Sequence, residues 1–483
     1  MTYKKTKKTY LILLVILGLV LIFIVVFNKG RLIKEVRIEE KNNNLLKVMI
    51  TVKFKSASVK NIQFWDVMRP YDKSSVSPYY KGEGICKYLL MPLDFGKTYN
   101  FRIIYKRNNA IDTTKIFDFK TKGQPVWFEG IVKVNKSDSN KLPIGFKNGL
   151  ILLNGRDVPG MVYMVDYTGS VKWYHRFSKT GVKVVKLTPE NTLLSILGTS
   201  QFKTSYGNQI VEIDLAGDTM LNLHSGVGDF NNIIVHHDLI KTNDGNIAVL
   251  VSENKTFDLS KAGGKLIDTL NVDGINIYDK NGSLKWKWDV SNVLDPIKDK
   301  NIVAKKNDWM HANSIAIDND GNFLISFYNI QQIWKIDRNT GRLLLKIGKD
   351  GSFSMSDSVV FDNAHDIQIN RDNELTLFDN GIMHRKSRIV QYKLTKNEDS
   401  LKSYILINLP PNLHNERMGS AYQISSSDFL FCSSKKNAIG LINLNNQINW
   451  YMETTFNPYR AIFMPCYQKI FDTFNITNDY VAK

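Results

Sequence analysis

The chain has 483 residues, of which 43% are hydrophobic and 11% aromatic, which excludes a disordered chain. This length predicts two or more domains or one large repeat fold. The formal net charge is +18, and beyond the first 31 residues the basic residues are spread without an Arg-rich block. We therefore predict no nucleic-acid partner, and a surface that suits an anionic small substrate better than a cationic one.

The first 31 residues have the pattern of a membrane signal. Four lysines between Lys4 and Lys8 precede an apolar run of 18 residues from Tyr10 to Phe27, about the minimum for a helix that crosses a bilayer. The positive-inside rule places the N-terminus in the cytoplasm. Because FNKGRLIKEV offers no small-residue cleavage site, we predict an uncleaved transmembrane signal anchor over residues 1–31, with a cleaved signal peptide as the alternative. The rest of the chain is then predicted to lie outside the cytoplasm, on the periplasmic or cell-surface side.

Residues 36–122 have the pattern of a small β-sandwich. The segments KVMITVKF (47–54) and TYNFRIIY (98–105) each place alternate apolar residues on one face, as half-buried strands do. The later strands resemble the closing strands of a fibronectin III-like β-sandwich. Since this region contains no histidine and no cluster of catalytic residue types, we predict a spacer or packing domain.

A repeat of paired hairpins fills residues 125–466. One half of the repeat is seen in HDLIKTNDGNIAVLV, NSIAIDNDGNFLISF, HDIQINRDNELTLF and GSAYQISSSDFLFC, and more weakly in VKVVKLTPENTLLSIL. The other half occurs six times, from MVYMVDYTGSVKWYHRF to AIGLINLNNQINWYM. Two hairpins make a four-stranded sheet, and a series of such sheets indicates a β-propeller. We predict an all-β chain with a six-bladed β-propeller, a seven-bladed ring being the alternative, and a C-terminal tail over residues 467–483.

Polar residues recur at one position of the repeat. Eight residues before the turn residue of three successive first hairpins are His237, Asn313 and His365, and His311 lies two residues before Asn313. The start of the innermost strand of each blade faces the channel of a propeller, so the register brings these side chains, with His236, to one axial mouth.

Three interpretations of these histidines compete. A single histidine at a strand start is usually a hydrogen-bonded polar residue, but three positions in phase are harder to explain in this way. Zinc is a second interpretation, which the lack of an HxH or HExxH spacing disfavours, so we predict no metal and no cofactor. The third is an anion site with a nucleophilic or general-base imidazole. Asp238 and Asp366 alternate away from the channel, and we predict that they make hydrogen bonds between blades.

The three cysteines do not form a recognisable site. Cys86, Cys432 and Cys466 have no metal-binding spacing and are too few for a disulfide framework. One bridge between Cys432 and Cys466 is compatible with the sequence.

Several motifs together resemble those of the bacterial aryl-sulfate sulfotransferases. They are VHHDLI, WMHANSIAIDNDGNFLISFYNIQQIWKIDRNTG, NAHDIQI, LFDNG with SRIVQY, and MGSAYQI, and the resemblance covers nearly all of residues 36–465. It implies a small N-terminal β-domain and a six-bladed propeller. It also implies transfer of a sulfuryl group from a phenolic sulfate ester to a phenolic or other hydroxyl acceptor through a sulfohistidine intermediate, without the nucleotide donor PAPS. A homodimer is a further partner that the resemblance admits.

The same motifs imply roles for single residues. His365 matches the nucleophile, His237 and His311 match residues that bind the sulfuryl group and handle protons, and Asn313 matches an amide donor to the same oxygens. All four are therefore predicted site residues. A neutral imidazole is able to attack sulfur, while a neighbouring imidazolium is able to donate a proton to the leaving phenolate.

One departure from the family pattern affects the predicted site. The family arginine after the His-x-Asn motif is replaced in ISFYN by Tyr328, which offers one donor where a guanidinium offers a fork. Arg385, Arg388 and Arg417 are candidate replacements, and we count Tyr328, Arg388 and His236 among the predicted substrate-binding residues. The loss favours, as an alternative function, a non-catalytic anion- or glycan-binding propeller. A metal-dependent hydrolase or lyase is a third hypothesis.

Overall fold

The computed structural model describes residues 23–26, 32–41, 44–55, 58–107, 110–203 and 205–465. The chain divides into two compact units: the first runs up to Phe128 and includes Lys172–Tyr174, and the second contains Glu129–Val171 and the described residues from His175 onward. Strands dominate both units, so the predicted all-β class is confirmed.

The predicted membrane span falls almost entirely outside these ranges. Among the residues described, no helix is long and apolar enough to cross a bilayer. Of the predicted span Tyr10–Phe27, only Phe23–Val26 is described, and these four residues form a strand. Cys466 and the predicted tail 467–483 also lie outside the described residues, while Cys86 and Cys432 are buried.

The first unit is a sandwich of two antiparallel sheets. Its described strands are β1 (Phe23–Val26), β2 (Ile33–Lys41), β3 (Asn44–Phe54), β4 (Ser58–Asp66), β5 (Ser74–Val76), β6 (Tyr80–Gly82), β7 (Ile85–Leu90), β8 (Thr98–Arg107), β9 (Ala110–Thr113) and β10 (Phe117–Lys120). The strand orders are β1-β2-β3-β7-β6 and β10-β8-β4-β5, with β9 paired to β8. Alternate apolar residues of the two sheets, such as Ile50 of β3 and Phe101 of β8, share one core.

The strands of the second unit follow in chain order, and one of them, Val171–Phe177, has its residues Lys172–Tyr174 assigned to the first unit. Its strands are β11 (Val132–Ser137), β12 (Leu150–Gly155), β13 (Gly160–Val165), β14 (Val171–Phe177), β15 (Gly181–Leu187), β16 (Leu193–Gly198), β17 (Tyr206–Gly207), β18 (Gln209–Ile213), β19 (Thr219–His224), β20 (Val235–Lys241), β21 (Ile247–Phe257), β22 (Asp268–Tyr278), β23 (Leu284–Asp289), β24 (Ala312–Ile317), β25 (Phe323–Phe327), β26 (Gln332–Ile336), β27 (Leu343–Gly348), β28 (Ala364–Ile369), β29 (Glu374–Asp379), β30 (Arg388–Leu394), β31 (Leu401–Asn408), β32 (Ser420–Gln423), β33 (Asp428–Ser433), β34 (Ala438–Asn443), β35 (Ile448–Thr454) and β36 (Ile462–Met464). Two helical turns, α1 (Ile144–Lys147) and α2 (Ile302–Lys305), and short 3-10 turns connect some of them.

These strands form six antiparallel sheets within the described residues. The strand orders are β36-β12-β13-β14, β15-β16-β18-β19, β17-β20-β21-β22-β23, β24-β25-β26-β27, β28-β29-β30-β31 and β32-β33-β34-β35-β11. The first strands of neighbouring sheets touch: β15 meets β20, β20 meets β24, β24 meets β28, β28 meets β32, and β32 meets β36. One sheet thus takes its first strand, β36, from the end of the described chain and its other strands from residues 150–177.

Apolar faces and turn chemistry produce this arrangement. Inner strands such as β16 and β25 are buried on both faces, and residues of successive sheets, such as Ile275 and Phe323, share a core between the sheets. The hairpin turns after β20 and β24 contain Gly245 at φ 79° and Gly321 at φ 85°, a conformation that glycine adopts without steric cost. Asn373 takes the same place after β28 at φ 58°. The turn residues therefore keep the repeats in register, and with them the residues at the strand starts.

Candidate functional site

The predicted histidine motifs coincide with irregularities in three first strands. The ladder pairing of each strand shifts at its N-terminal end, between Val235 and Leu239 in β20, Ala312 and Ser314 in β24, and His365 and Gln368 in β28. Such bulges re-aim side chains and are common beside active sites. His237 and His311 both have φ 56°, a left-handed conformation that is uncommon outside glycine and costs energy. The backbone at these strand starts therefore sets the direction in which the histidine side chains point.

These strand starts line one cavity of about 1100 Å³ in the second unit. Five of the predicted site residues lie in its wall: His237, His311, Asn313, Tyr328 and His365. Its wall also includes Arg156, Lys203, Tyr206, Asp308, Arg385, Glu416, Arg417, Met418 and Lys435. Residues that are far apart in sequence thus meet in one place, as the repeat register predicts.

His365 is buried with both ring nitrogens engaged. Its Nδ1 lies 2.8 Å from the carbonyl oxygen of Gly419, so Nδ1 carries the proton and donates it. Nε2 is then the acceptor, and the hydroxyl of Tyr459 lies 3.2 Å from it. Burial and the nearby charge of Arg460 lower the pKa of His365 to about 3. The imidazole is therefore neutral at physiological pH, with its nucleophilic lone pair on Nε2.

His237 and His311 differ in charge although their ring centroids are only 4.8 Å apart. Burial holds the pKa of His237 well below its usual range, and the neighbouring His311 lowers it further. Burial also opposes charge on His311, but a hydrogen bond and attraction from Asp308 outweigh it and raise the pKa of His311. The Asp308 carboxylate lies 2.9 and 3.0 Å from Nδ1 of His311. One imidazole of the pair is thus neutral, and the other favours the imidazolium.

Asn313 and Tyr328 both line the cavity with part of their hydrogen-bonding capacity used. The amide nitrogen of Asn313 donates to the carbonyl oxygen of Ala364 at 2.9 Å, whereas its buried Oδ1 has no partner among the described residues. The Tyr328 hydroxyl donates to the carbonyl oxygen of Glu416 at 2.7 Å. Tyr328 therefore uses its only hydroxyl proton in a hydrogen bond to the backbone.

Two predicted substrate-binding residues do not line the cavity. His236 is buried behind His237: its Nδ1 lies 2.8 Å from Nδ1 of His237, and its Nε2 is 3.4 Å from Asp273. Arg388 forms an ion pair with buried Asp379, with 2.6 Å between Nε and Oδ2, and donates to two backbone carbonyls. Since its guanidinium is used in holding a loop, Arg388 is a structural residue here. Arg385 and Arg417, the other candidate replacements, do line the cavity.

Sequence reasoning missed a buried ion network behind the histidines. Arg460, just before β36, lies 2.8 Å from Asp238 and 3.0 Å from Asp366. Asp238 also pairs with Lys186 at 3.0 Å and accepts hydrogen bonds from Ser314 and Ile315 of the next sheet. Asp238 thus bonds between sheets, as predicted. The network joins the first strands of four sheets, and Arg460 also donates to the carbonyl oxygen of Asn313 at 3.0 Å.

The repeat register identifies one residue next to the cavity that the sequence analysis did not name. Counting eight residues back from Asn191 in the weakest first hairpin reaches Lys183, which lies at a bulge in β15. Lys183 donates to the carbonyl oxygen of Arg156, a cavity residue, at 3.2 Å. No equivalent count reaches Tyr459 or Arg460, because the innermost strand of their sheet, β36, has no turn of its own.

The charge of the cavity wall favours an anion. Arginine and lysine side chains outnumber carboxylates in its wall, and one carboxylate, Asp308, is paired with His311. Among the described residues, the three-carboxylate group with metal-binding spacing is Asp318, Asp320 and Glu398. The ammonium of Lys335 lies within 3.3 Å of each of them, so a lysine already neutralises that group. The cavity wall thus combines a neutral imidazole, an imidazole that favours the charged form, and several cationic side chains.

The chain matches one known protein family. The family described as Arylsulfotransferase (ASST) matches residues 133–406, and no curated protein matches the chain. Among solved structures, a Bacteroides caccae protein of unknown function is 13% identical, with coverage of 65% of this chain and 98% of that one and a TM-score of 0.41. A streptogramin B lyase is 14% identical, with coverage of 68% and 88% and a TM-score of 0.36. An inactive Staphylococcus aureus virginiamycin B lyase is 12% identical, with coverage of 66% and 87% and a TM-score of 0.35.

Proposed function

The chain belongs to the arylsulfotransferase family, and on that premise we propose that it moves a sulfuryl group from an aryl sulfate ester to a phenolic or other hydroxyl acceptor through a sulfated His365. The observation that carries the proposal is the state of His365. Its Nδ1 is fixed by the Gly419 carbonyl, its pKa is lowered to about 3 by burial and Arg460, and it lies in the wall of a cationic cavity. A neutral imidazole of fixed tautomer is a ready nucleophile.

In the first step, the lone pair on Nε2 of His365 attacks sulfur, and an N–S bond forms while the ester S–O bond breaks. The electron pair of that bond leaves on the phenolate oxygen, which takes a proton from His311. Asp308 occupies Nδ1 of His311, which leaves Nε2 to carry that proton. Since Tyr459 engages Nε2 of His365 in the free protein, its hydroxyl must turn its proton to a sulfuryl oxygen as the N–S bond forms.

The second step reverses these roles. The acceptor hydroxyl gives its proton to His311, now neutral, and its oxygen attacks sulfur. The N–S bond breaks, its electron pair returns to Nε2 of His365, and the new sulfate ester leaves. No nucleotide donor is consumed, because the energy of the first ester bond is kept in the sulfohistidine. His237 and the amide N–H of Asn313 that does not bind Ala364 are the cavity groups available to donate to sulfuryl oxygens.

The test uses the full chain with a chromogenic aryl sulfate and an unlabelled phenol. We expect release of the coloured phenol, formation of the second sulfate ester, and a sulfuryl adduct on the His365 peptide when donor is supplied without acceptor. Absence of transfer with every aryl sulfate tried, together with no adduct, contradicts the proposal.

A binding protein without catalysis is the second candidate. The observation that favours it is Tyr328, which stands in place of the family arginine and donates its proton to Glu416 instead of to a ligand. In that case the cavity binds an anion or a glycan, and aryl sulfates are held but not cleaved. Detection of the sulfated His365 peptide rules this candidate out.

The finer architecture is part of the proposal. We propose that the six sheets of the second unit are the blades of a six-bladed propeller, supported by the contacts between their successive first strands and by the pairing of β36 with β12. An experimental map of the protein that shows seven blades, or an open array, contradicts it.

We also propose that the apolar N-terminal run anchors the chain in a membrane, with the bulk outside the cytoplasm. The sequence of residues 4–31 supports this proposal. If a membrane helix extends through Phe27, Phe23–Val26 are helical in the membrane and do not form the strand β1. Alkaline extraction of membranes decides the question: an anchored chain stays in the pellet, and an unanchored one is released.

A further inference from the structure

One part of the cavity wall carries more positive charge than a sulfate monoester needs. Arg156, Lys203, Arg385, Arg417 and Lys435 all line the cavity, and within residues 110–203 and 205–465 no carboxylate lies at ion-pair distance from any of them. A single sulfuryl group carries one negative charge, and the proposed position of that group is beside the histidines. The remaining cations are left for a different negative group.

Arg156 is the most informative of these cations, because it is only partly exposed and its Nε is buried. Its Nη1 contacts the sulfur of Met418 at 3.0 Å, and its buried Nε has no hydrogen-bond partner among the described residues. A thioether sulfur is a weak acceptor, so a guanidinium held in this way is poorly compensated for the loss of water. A carboxylate, sulfate or phosphate offers the paired acceptors that a guanidinium fork matches.

Two neighbouring residues fix the backbone of Arg156. The ammonium of Lys183 donates to its carbonyl oxygen at 3.2 Å. The neighbouring strand approaches so closely that a Cβ on Gly181 would lie 1.9 Å from the same oxygen. The backbone of Arg156 is therefore held by a rigid scaffold, as that of a preorganised binding group is, and its guanidinium rests against the weak acceptor Met418.

A short segment links Arg156 to the predicted sulfuryl position. The carbonyl oxygen of Glu416 accepts from Tyr328, which packs on His311 with ring centroids 5.5 Å apart. Two residues later, Met418 contacts Arg156. Arg417 lies between these contacts and is exposed to the cavity. The segment thus spans from the histidines to Arg156, with a second arginine between them.

We propose that Arg156 and Arg417 form a second anion subsite, and that the substrate carries a second acidic group, a carboxylate, sulfate or phosphate, in addition to the sulfuryl group at His365. This inference rests on the proposed function for the position of the first anion. It narrows the substrate class from aryl sulfates in general to substrates with two negative groups.

The test measures binding, so it does not depend on turnover. Calorimetry on the full chain compares benzenesulfonate, which has one negative group, with 4-sulfobenzoate, which adds a carboxylate. We expect 4-sulfobenzoate to bind about tenfold more tightly, since hydrogen bonds to charged groups are of that strength. Arg156→Gln and Arg417→Gln each remove most of this preference and leave benzenesulfonate affinity within about twofold. Arg371→Gln, an exposed arginine outside the cavity, keeps both affinities.

Several outcomes overturn the inference. They are equal affinity of the wild-type protein for the two probes, no binding of either probe, and an equal loss of both probes in the two arginine variants. Arg417 is exposed, so Arg417→Gln remains informative if the variant of the partly buried Arg156, Arg156→Gln, fails to fold. If the preference for 4-sulfobenzoate is intact while the aryl sulfate assay shows no transfer, the proposed function fails and the second subsite stands.

Discussion

Two adjacent layers at the centre of the second unit differ in how their charges are balanced. The imidazole layer, His237, His311 and His365, lines the cavity, and its members are close enough to change one another's pKa. The ion layer, Lys186, Asp238, Asp366 and Arg460, is closed from the cavity, with two cations paired to two carboxylates. The first layer has unused donors and acceptors. The second pairs each of its charges with one of opposite sign.

This difference separates chemistry from support. A buried ion pair contributes little net stability compared with apolar packing, but removal of one partner is costly. The ion layer therefore fixes the first strands of several sheets relative to each other, whereas the imidazole layer is free to exchange protons with a substrate. Substitutions in the two layers should consequently change different measurements.

The largest expected effect comes from the imidazole layer. His365→Ala removes the proposed nucleophile, so we expect the transfer rate to fall by about 10⁴-fold or more, the scale seen when a nucleophile is deleted. The variant should remain folded, with only a small change in the free energy of unfolding. Initial rates with a chromogenic aryl sulfate and urea denaturation measure the two quantities. Activity close to that of the wild type contradicts the proposed role.

The ion layer should give the reverse pattern. Arg460→Met leaves Asp238 and Asp366 buried without their shared cation, and we expect the free energy of unfolding to fall by about 3–5 kcal/mol at pH 8. Burial raises the pKa of Asp366 to about 6, so its folded state favours the proton and the loss should be smaller at pH 5. Urea denaturation at the two pH values checks this.

The matched control for this variant is Arg371→Met, because Arg371 is exposed. It should stay within about 0.5 kcal/mol of the wild type. An Arg460→Met protein as stable as this control shows that the ion layer does not support the sheets.

Tyr459 lies between the layers and should affect catalysis more than stability. Its hydroxyl contacts Nε2 of His365, its ring packs against that imidazole, and Arg460 lies over its ring at 5.0 Å. Tyr459→Phe removes one donor to the sulfuryl oxygens, and we expect a loss of about 10²-fold in the turnover rate. Single-turnover sulfation of His365 measures the step directly. A rate equal to or above that of the wild type indicates that the hydroxyl only blocks Nε2.

The position of a residue in the repeat also decides whether the sequence predicts its place in the site. The turn residues set the register of each first hairpin, so a count from Gly245 or Asn373 reached His237 and His365, and the structure places both in the cavity. A repeat register is a local property of two strands and one turn. It is therefore readable from a single chain.

Residues that depend on how the sheets meet were not readable in this way. Arg460 and Arg156 reach the centre because β36, from residues 462–464, pairs with β12, a contact between the two ends of the repeat. Arg388 was predicted at the site from its motif, but its guanidinium pairs with Asp379 in the same hairpin. A motif fixes the position of a backbone, whereas the direction of a long side chain depends on the charges it meets.

The smallest expected effect concerns the protonation of His311 in the imidazole layer. Asp308 raises the pKa of His311 against the effect of burial, so the imidazolium is present below that pKa and is lost as the pH rises through it. Asp308→Asn removes the attraction, and burial then lowers the pKa of His311. We expect the alkaline limb of the pH–rate profile to move to lower pH and the rate at pH 7 to fall, by less than the loss in Tyr459→Phe. Asp308→Glu, which keeps the carboxylate, should retain the limb. Because His365 has a pKa of about 3, its titration cannot produce a limb near neutrality, and an unchanged profile in Asp308→Asn assigns the proton donor to a residue other than His311.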